Sequence, residues 1–431
     1  MSALPRILTI MGSGETTPTM ARVHRSVLDR LGERPVPAVI LDTPYGFQEN
    51  ADDISGRALD YFRDTVGAPF SVASFRAADA DVLTRETALA RIRDARLVFT
   101  GPGSPSYALR QWAGSEIPRL LADKLARGGA VTMASAAALT LGRYTIPVYE
   151  IYKVGDAPSW LDGLDLLAPL GLPVAGVPHY DNAEGGNHDT RFCYLGERRL
   201  KLLEAELPPE VFILGVDGHT ALVLDLDVGA ASVMGLGNVT VRKDGRSAVF
   251  PAGSRMTIDE LHAAAFQHDS TARGRIHAPI PEPDGGDAEP ELRPLAAEVA
   301  ELERAFDAAL ESRDAPGAVR AVLALEETIQ AWSRDTEQSD TLGQARASLR
   351  GEIVCLGEFA VEGSRDPADL VRPFVDALLA ERIRSREARD WAAADAIRDR
   401  LLAAGIELHD TPEGTTWELG AVAEAGVARR G

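Results

Sequence analysis

Short apolar runs alternate with amphipathic stretches from the start of the chain to about Leu261. Ile7–Met11, Arg96–Thr100 and Val174–Val177 are almost wholly apolar, which is typical of strands buried on both faces of a parallel sheet. Between such runs, Glu116–Arg127 carries apolar residues on one helical face and ends at two glycines, which predicts a helix. The same pattern predicts further strands at Val36–Leu41 and Ala130–Met133.

The end of this region has a different, antiparallel signature. FILGVDGHTALVLD and NVTVRKDGRSAVF each place an Asp-Gly pair between two apolar runs, which is the strongest short signal for a β-hairpin. We therefore expect hairpins around Asp217-Gly218 and Asp244-Gly245. The first part of the chain is predicted to be an α/β domain with terminal hairpins.

The second part of the chain is predicted to be all helical. It follows a segment rich in proline, glycine and acidic residues, APIPEPDGGDAEPELRP, which is typical of a linker. Apolar residues then recur at helical spacing in Glu301–Glu311, Ala318–Trp332, Leu342–Phe359 and Pro373–Ala404. The predicted divisions are an α/β domain at 1–275, a linker at 276–294, a helical bundle at 295–362 and a last subdomain at 363–431.

Residues 295–419 are expected to fold as an independent unit that moves relative to the α/β half, since the linker offers little to bury. The predicted interior of this unit consists of Leu323, Leu325, Trp332, Leu356, Phe359, Phe374, Leu378, Leu379, Trp391 and Ile397.

Composition narrows the classes of function. The formal net charge is −20, which argues against broad binding to nucleic acid or anionic lipid, although one local basic face is compatible with it. Two cysteines, Cys193 and Cys355, are too few for a disulfide framework or a cysteine-rich zinc site. Without a long apolar run or a secretory signal, we expect a cytoplasmic protein that does not enter membranes. The sequence does not indicate the oligomeric state.

The segment AVTMASAAALTLG carries the sharpest chemical signal. An apolar strand runs into Ser135 and is followed at once by small helix-forming residues, which is the layout of a nucleophile elbow. The alternative interpretation is a serine that caps a buried helix. A serine nucleophile needs a base, and His179 is best placed, because it follows a buried strand in GLPVAGVPHYD. Both residues are expected at one edge of the sheet, about 3–4 Å apart.

An orienting acid for His179 is not fixed by these patterns, which leave Glu150, Asp181, Glu184 and Asp189 open. Backbone N–H groups in FTGPGSPSYAL could face an anionic centre, or this loop could only cap the next helix.

IMGSGETTP lacks the G-x-G-x-x-G and Gly-Lys-Ser/Thr spacings, so we expect no nucleotide cofactor. In the predicted α/β site, His179/Asp181 and His188/Asp189 are close His–carboxylate pairs without further ligand spacing, so we expect no metal.

GSGE after the first strand, the TGPGSPSYAL loop, Ser135, His179 and GVDGHTALVLD together resemble the dipeptidase E and cyanophycinase group of serine peptidases. The likeness covers roughly residues 5–262 and implies a class I glutamine-amidotransferase-like sheet with flanking helices. It implies that Ser135 is the nucleophile, His179 the base and Glu150 the acid. It also implies that Gly103 and the N–H of Ala136 form the oxyanion hole.

The implied activity is hydrolysis of an amide in a small peptide or amino-acid conjugate, with His188 and Arg191 of EGGNHDTRF binding the substrate. The family's G-x-S-A-G becomes Met133-Ala134-Ser135-Ala136-Ala137 here, a departure that bears on substrate and turnover. The alternative is an amidotransferase-like domain that only binds a small ligand.

The sequence from about residue 295 to 419, with its D-T-P-x-G-T-T-W ending, is similar to the C-terminal helical region of cysteinyl-tRNA synthetase. In that enzyme the region contacts the anticodon end of tRNA, which makes tRNA a possible partner of this chain. H-I-G-H, K-M-S-K-S and a Cys/His zinc set are missing, so aminoacylation by that route is excluded.

Arg386, Arg389 and Trp417 are the candidate RNA- or partner-binding residues, because arginine contacts phosphate and an aromatic ring stacks on bases. The alternative is a solvated helix on which Arg386–Asp390 and Asp395–Arg398 form intrahelical pairs.

Overall fold

The structure, a computed structural model, describes residues 4–32, 34–183, 188–266, 293–336, 341–363, 367–411 and 414–419. These residues group into two compact units. The first comprises Met1–Ala305 and Arg320–Leu349, and the second comprises Phe306–Val319 and Arg350–Gly431. The predicted linker at 276–294 lies almost wholly outside the described residues.

The first fourteen strands lie in the first unit, and the last two lie in the second. In chain order they are β1 (Arg6–Met11), β2 (Ala38–Leu41), β3 (Ser71–Ala73), β4 (Leu97–Thr100), β5 (Gly129–Ala134), β6 (Tyr144–Thr145), β7 (Leu161–Asp162), β8 (Val174–Val177), β9 (Phe212–Val216), β10 (Thr220–Asp225), β11 (Ala230–Gly235), β12 (Asn238–Lys243), β13 (Arg246–Pro251), β14 (Arg255–Thr257), β15 (Ile406–Thr411) and β16 (Gly414–Leu419).

Two sheets make up the α/β part. The first has the order β14-β11-β10-β1-β5-β4-β2-β3, and its members β1, β5, β4, β2 and β3 are parallel. The second has the order β13-β12-β9-β8-β6-β7, with β6, β8 and β9 parallel. The predicted α/β fold is confirmed, as are the strands expected from apolar runs.

Alternation along the central strands explains why their sequences are apolar throughout. In β1, Leu8 and Ile10 belong to one buried cluster, which also contains Leu214 of the second sheet. Ile7 and Met11 point to the opposite face and belong to a second cluster. Each strand therefore needs apolar side chains at consecutive positions, because both faces of the sheet are covered.

One predicted hairpin is present and the other is wrong. β12 and β13 pair antiparallel around Asp244-Gly245, as expected. β9 and β10 do not pair with each other, since β9 lies in the second sheet and β10 in the first. The chain crosses between sheets at Asp217, whose carboxylate accepts hydrogen bonds from the backbone N–H and side-chain amide of Asn238.

Helices cover the sheets and make up most of the C-terminal part. In chain order they are α1 (Ala21–Arg30), α2 (Ala51–Asp60), α3 (Val82–Asp94), α4 (Pro105–Trp112), α5 (Ile117–Arg127), α6 (Ala136–Leu139), α7 (Gly196–Ala205), α8 (Ile258–Ala263), α9 (Leu295–Glu311), α10 (Ala315–Trp332), α11 (Thr341–Gly363), α12 (Pro367–Glu387) and α13 (Trp391–Ala403). None of the helices within the described residues is long and apolar enough to cross a membrane.

The division into units differs from the predicted boundary at residue 295. Parts of α9, α10 and α11 group with the sheets, around a cluster that includes Leu325, Ile329 and Trp332. Polar contacts hold this part to the α/β elements: Thr336 N donates to Thr16 Oγ1 at 2.8 Å. Residues 295–419 therefore do not form one separate compact unit.

The second unit closes with a hairpin of β15 and β16. Val375, Leu379, Leu401 and Ile406 form its buried cluster, and Trp417 packs against this cluster. Several side chains predicted for the helical interior are instead largely exposed in the structure: Leu323, Phe374, Leu378 and Trp391. Helical spacing identifies an apolar stripe, but it does not reveal whether a partner element covers that stripe.

Candidate active site

Ser135 lies at a strained turn between β5 and α6. Its backbone has φ +48° and ψ −121°, a conformation that a residue with a Cβ rarely adopts and that is typical of functional sites. Hydrogen bonds on both sides hold the turn, from Ser135 N to Met11 O at 3.2 Å and from Ala137 N to Gly101 O at 3.2 Å. These hydrogen bonds therefore hold Ser135 at the carboxyl end of the buried strand β5.

The flanking residues explain how this turn tolerates Met133. Met133 and Ala137 are both fully buried and belong to the main hydrophobic cluster. The methionine side chain therefore occupies the core beside the sheet, whereas the small residue lies in the short helix that follows Ser135. Methionine can be accommodated at this position because its flexible side chain fills irregular space in a core.

His179 follows β8, a strand of the second sheet, whereas Ser135 follows β5 of the first. The expectation that both lie at the edge of one sheet is thus wrong. Gly176 in β8 explains their approach, because a Cβ built on it would lie 3.0 Å from Ala138 O. Glycine at this position lets the backbone of α6 come close to β8.

His179 is itself held in an unusual backbone conformation, with φ +48°. Phe192, Cys193 and Tyr194 are three consecutive residues with positive φ, and two of them bind the histidine segment. Phe192 N donates to Tyr180 O at 3.0 Å, and Cys193 N donates to His179 O at 3.1 Å. This left-handed run therefore holds the backbone segment that carries the imidazole.

The two strained residues meet at hydrogen-bond distance. Ser135 Oγ lies 2.9 Å from His179 Nε2, and the serine side chain is buried, with the residue 8% exposed. This distance agrees with the separation expected from the sequence. A hydroxyl in contact with an imidazole nitrogen can lose its proton to that nitrogen as it attacks an electrophile.

Backbone N–H groups that could bind an oxyanion come from Gly103 and Ala136. Both residues line the same cavity as Ser135 and His179. Within the described residues, neither N–H donates to another protein group. Gly103 has φ +133°, and a Cβ there would lie 2.1 Å from Pro44 O, so only glycine fits this close approach.

Replacing Gly103 by alanine is expected to disturb the cavity wall. The new methyl group would force Gly103 and Pro44 apart. If the Gly103 N–H binds an oxyanion, this displacement should cost about 100-fold in kcat. Gly114→Ala is the matched control, because Gly114 also has positive φ (+71°) but has open space around it. It should lose about 1 kcal/mol of stability from backbone strain without loss of activity. Equal activities of the two variants would contradict the role of Gly103.

Glu150 does not contact His179, so its predicted role as the orienting acid needs correction. It begins a π-helical turn, Glu150–Val154, and its Oε1 accepts from Ser106 Oγ at 2.5 Å. Its Oε2 is buried without a hydrogen-bond partner among the described residues. Ser106 Oγ also lies 3.0 Å from Ser104 Oγ. Glu150 therefore buttresses the loop after β4, which carries Gly103.

The other candidate carboxylates have partners of their own. Asp181 Oδ1 accepts from Gly218 N at 2.7 Å. Asp189 forms two hydrogen bonds with the Arg191 guanidinium, at 2.8 and 2.9 Å, and this pairing holds the pKa of Asp189 well below its usual range. Glu184 lies outside the described residues.

The cavity in front of Ser135 has a volume of about 380 Å³. His188, a predicted substrate-binding residue, lines it, whereas Arg191 is not among the residues that line it and pairs with Asp189. Sequence reasoning missed several side chains of the wall: Gln48, Tyr149, Tyr152, Lys153, Tyr194 and Thr336. The aromatic and basic residues of PVYEIYKVG were a usable signal, but no sequence pattern indicated Thr336.

Candidate metal ligands converge elsewhere. Glu407, His409 and Glu418 form a group of three on the hairpin of β15 and β16, and all three are exposed. His409 Nε2 lies 3.0 Å from Glu418 Oε1, so two members of this group already pair with each other. Among the described residues, no such group includes His179 or His188.

The predicted RNA- or partner-binding residues lie in the second unit. Arg386 is half-exposed and contacts Asp410 at 3.5 Å, not Asp390, which caps α13 by accepting from Ala393 N. Arg389 is exposed, with φ +60°. Trp417 is partly buried, with the Arg372 guanidinium 5.5 Å from its ring centre. The tryptophan therefore belongs to the packing of its own unit.

Arg382 is buried beneath this surface and pairs with Asp410. Its guanidinium donates twice to Asp410, at 2.8 Å each, and its side chain is only 5% exposed. This bidentate pair holds the pKa of Asp410 well below its usual range and connects α12 to β15. Arg382 is thus a structural member of the arginine-rich helix, whereas Arg384 and Arg386 of that helix, and Arg389 just beyond its end, are exposed.

Comparison with known proteins identifies the C-terminal region. Residues 371–417 match the family described as the cysteinyl-tRNA ligase anticodon binding domain. The chain is 42% identical over 88 residues to the cysteine–tRNA ligase of Cronobacter sakazakii, which is 19% of each protein. It is 54% identical over 52 residues to that of Halorhodospira halophila, which is 12% of this chain and 11% of that protein. The C-terminal resemblance is thereby confirmed. The chain spans only about a fifth or less of the length of these curated relatives.

Two solved structures are similar to a larger part of the chain. The match to a peptidase from an acI-B1 Actinobacterium covers 59% of this chain and 98% of that peptidase, with 19% identity and a TM-score of 0.48. The match to a putative peptidase E protein from Listeria monocytogenes EGD-e covers 57% of this chain and 98% of that protein, with 12% identity and a TM-score of 0.35.

Proposed function

We propose that this chain is a serine hydrolase that cleaves an amide in a small peptide or amino-acid conjugate. The observation that carries the proposal is the 2.9 Å approach of Ser135 Oγ to His179 Nε2. Both residues have positive φ and line one cavity. Strained backbone at two residues in hydrogen-bond contact favours a catalytic pair over a chance meeting of side chains.

The proposed reaction has two halves. His179 Nε2 takes the proton of Ser135 as Oγ attacks the carbonyl carbon, and the N–H groups of Gly103 and Ala136 stabilise the negative oxygen. The imidazolium then donates its proton to the leaving nitrogen, the C–N bond breaks and an acyl ester remains on Ser135. Water attacks this ester with His179 as base, which releases the acid and restores the hydroxyl.

The cavity supports a small substrate. Its volume of about 380 Å³ lies near the lower end of the range for ligand sites. A panel of dipeptides and aminoacyl p-nitroanilides, assayed with the full chain and with Ser135→Ala, tests the proposal. Release of amine by the full chain but not by the variant is expected. Equal release by both would contradict the role of Ser135.

A second candidate function, association with tRNA, is favoured by the match of residues 371–417 to an anticodon binding domain. Arg386 and Arg389 are cations on the surface of this region, and guanidinium groups are suited to phosphate contacts. The net charge of −20 restricts such binding to a local face. In this case the hydrolase would act on an aminoacyl or cysteinyl conjugate.

We expect the full chain to retain tRNA at ~50 mM salt and to bind it at least tenfold more weakly at ~200 mM, because phosphate contacts release counterions. Arg386→Gln with Arg389→Gln should weaken binding and lower the salt dependence by up to about two phosphate contacts. The control pair is Arg119→Gln with Arg127→Gln, two exposed arginines of the first unit. Filter binding measures all three proteins. Absence of a complex at ~50 mM salt would rule out this function.

A further inference from the structure

A short segment after α10 forms part of the active-site cavity, although it follows Ser135 by almost two hundred residues. We call Trp332–Thr336 the wall segment. Thr336 lines the cavity together with Ser135 and His179, and the segment belongs to the same compact unit as the sheets. We infer that Thr336 is a specificity-determining residue of the hydrolase, supplied by the helical half of the chain. This inference rests on the proposed function.

Side-chain contacts fix the wall segment on the α/β elements. The Trp332 ring meets the His219 ring edge to face, with centres 5.6 Å apart and planes at 70°. Arg334 forms an ion pair of 3.0 Å with Asp64. Trp332 is buried, with 6% exposed. An apolar contact and an ion pair therefore hold the segment at two separate points, which restrains it more than either would alone.

The middle of the segment is held through its backbone. Arg57 Nη1 donates to Asp335 O at 3.2 Å, and Asp335 N donates to Trp332 O at 3.1 Å. The chain thus makes a turn directly after α10, and Arg57 of α2 binds a carbonyl of that turn. Thr336, the next residue, contacts the loop after β1.

Hydrogen bonds with Thr16 set the position of Thr336. Thr336 N donates to Thr16 Oγ1 at 2.8 Å, and the two Oγ1 atoms are 2.9 Å apart. Thr16 is completely buried and Thr336 is 5% exposed, so water does not compete for these bonds. The single hydroxyl proton of Thr16 can go to Thr336 Oγ1 or to Asp335 Oδ1, which is 3.3 Å away.

This arrangement gives Thr336 a defined role toward a ligand. When Thr336 Oγ1 accepts the proton of Thr16, its own hydroxyl proton is available for an acceptor in the cavity. Because the cavity is small and hydrogen bonds to Thr16 hold Thr336 in place, the size of residue 336 limits the size of the substrate group that fits there. The loop after β1, which carries Thr16, thus serves to position Thr336.

Two opposite changes of side-chain size test the inference in the full chain. The probes are alanyl and phenylalanyl p-nitroanilide, with p-nitrophenyl acetate as a minimal substrate, and rates measured with Ser135→Ala are subtracted. Thr336→Ala enlarges the cavity and should raise the ratio of kcat/KM for the phenylalanyl over the alanyl substrate at least threefold. Thr336→Leu narrows the cavity and should lower this ratio at least tenfold. The rate with p-nitrophenyl acetate is measured for each variant as well, so that a loss of Ser135-dependent turnover is distinguished from a change of specificity.

The matched control is Ser333→Val, which changes size in the same segment at a residue that does not line the cavity. It should leave the ratio within twofold. Ratios that move in the same direction for Thr336→Ala and Thr336→Leu, or that stay within twofold for both, would overturn the inference. If no substrate shows Ser135-dependent turnover in the unchanged chain, the proposed function has failed instead, and the two failures are thereby distinguished.

Discussion

Ser135→Ala is expected to lower kcat for amide hydrolysis at least about 1,000-fold, because it removes the attacking oxygen. His179→Ala should cause a loss of similar size, since Ser135 Oγ, 2.9 Å from His179 Nε2, then has no base. The double variant should be no slower than the slower single variant, because residues that act as one unit do not contribute additively. Steady-state kinetics with the best substrate of the panel measures all three proteins.

Ser115→Ala is the control for this prediction. It removes a hydroxyl that donates to Trp112 O in the turn after α4 and that does not line the cavity. Its kcat should stay within about threefold of the unchanged chain, a loss of under 1 kcal/mol in the barrier. Losses that multiply in the double variant would show that Ser135 and His179 act separately and would contradict the catalytic pair.

The largest expected effect on stability is that of Arg242→Met. The Arg242 side chain is 5% exposed and contacts Glu197 at 2.9 Å and Glu204 at 3.0 Å. Its guanidinium also lies 5.6 Å from the centre of the Phe192 ring. Methionine would leave the buried Glu204 without its cation and Glu197 with only the exposed Lys201, so the free energy of unfolding should fall by about 3 kcal/mol. This is the lower end for buried pairs, because the Glu197 side chain remains 32% exposed.

Urea denaturation checks this value, with Arg119→Gln as the control. Arg119 pairs with Glu116 and Asp123 on an exposed helix face, where removal should cost under about 1 kcal/mol. Arg242→Met combined with Glu197→Gln and Glu204→Gln should recover part of the loss, because no unpaired charge remains. A loss below about 1 kcal/mol in the single variant would contradict a buried charge network.

The same variant has a defined pH dependence. The hydrogen bonds with Arg242 hold the pKa of Glu197 below its usual value. A carboxylate whose pKa is depressed in the folded state stabilises the protein above the unfolded pKa of about 4.3, and this contribution is lost as the pH falls through the folded pKa. The difference in the free energy of unfolding between the unchanged chain and Arg242→Met should therefore be largest near neutral pH. It should shrink as the pH falls below about 4.3 toward the folded pKa of Glu197.

The parallel core of the fold can be predicted from the sequence because its strands are buried on both faces. Runs such as Val174–Val177 are apolar at every position, and the structure places a strand there with the same ends. The Asp-Gly signal is weaker, because it predicts a tight turn without saying which strands pair. At Asp244-Gly245 the flanking strands pair, whereas at Asp217-Gly218 they enter different sheets.

The approach of Ser135 and His179 can be predicted because each lies just beyond the end of a buried strand. The acid and the cavity wall cannot, because they depend on contacts between distant segments. Glu150 has the expected position in the chain, but the π-helical turn directs its carboxylate to Ser106. Thr336 comes from the helical half, where apolar spacing reveals α10 but not the turn that follows it.

Covalent labelling of the full chain tests the central claim most directly. A fluorophosphonate reacts with an activated serine hydroxyl, whose oxygen displaces fluoride from phosphorus, and mass spectrometry of the digested protein locates the adduct. The catalytic pair predicts one adduct, on Ser135, which is absent from Ser135→Ala and at least tenfold slower to form in His179→Ala. An unlabelled Ser135, or labelling at the same rate in His179→Ala, would contradict the claim that Ser135 is a nucleophile activated by His179.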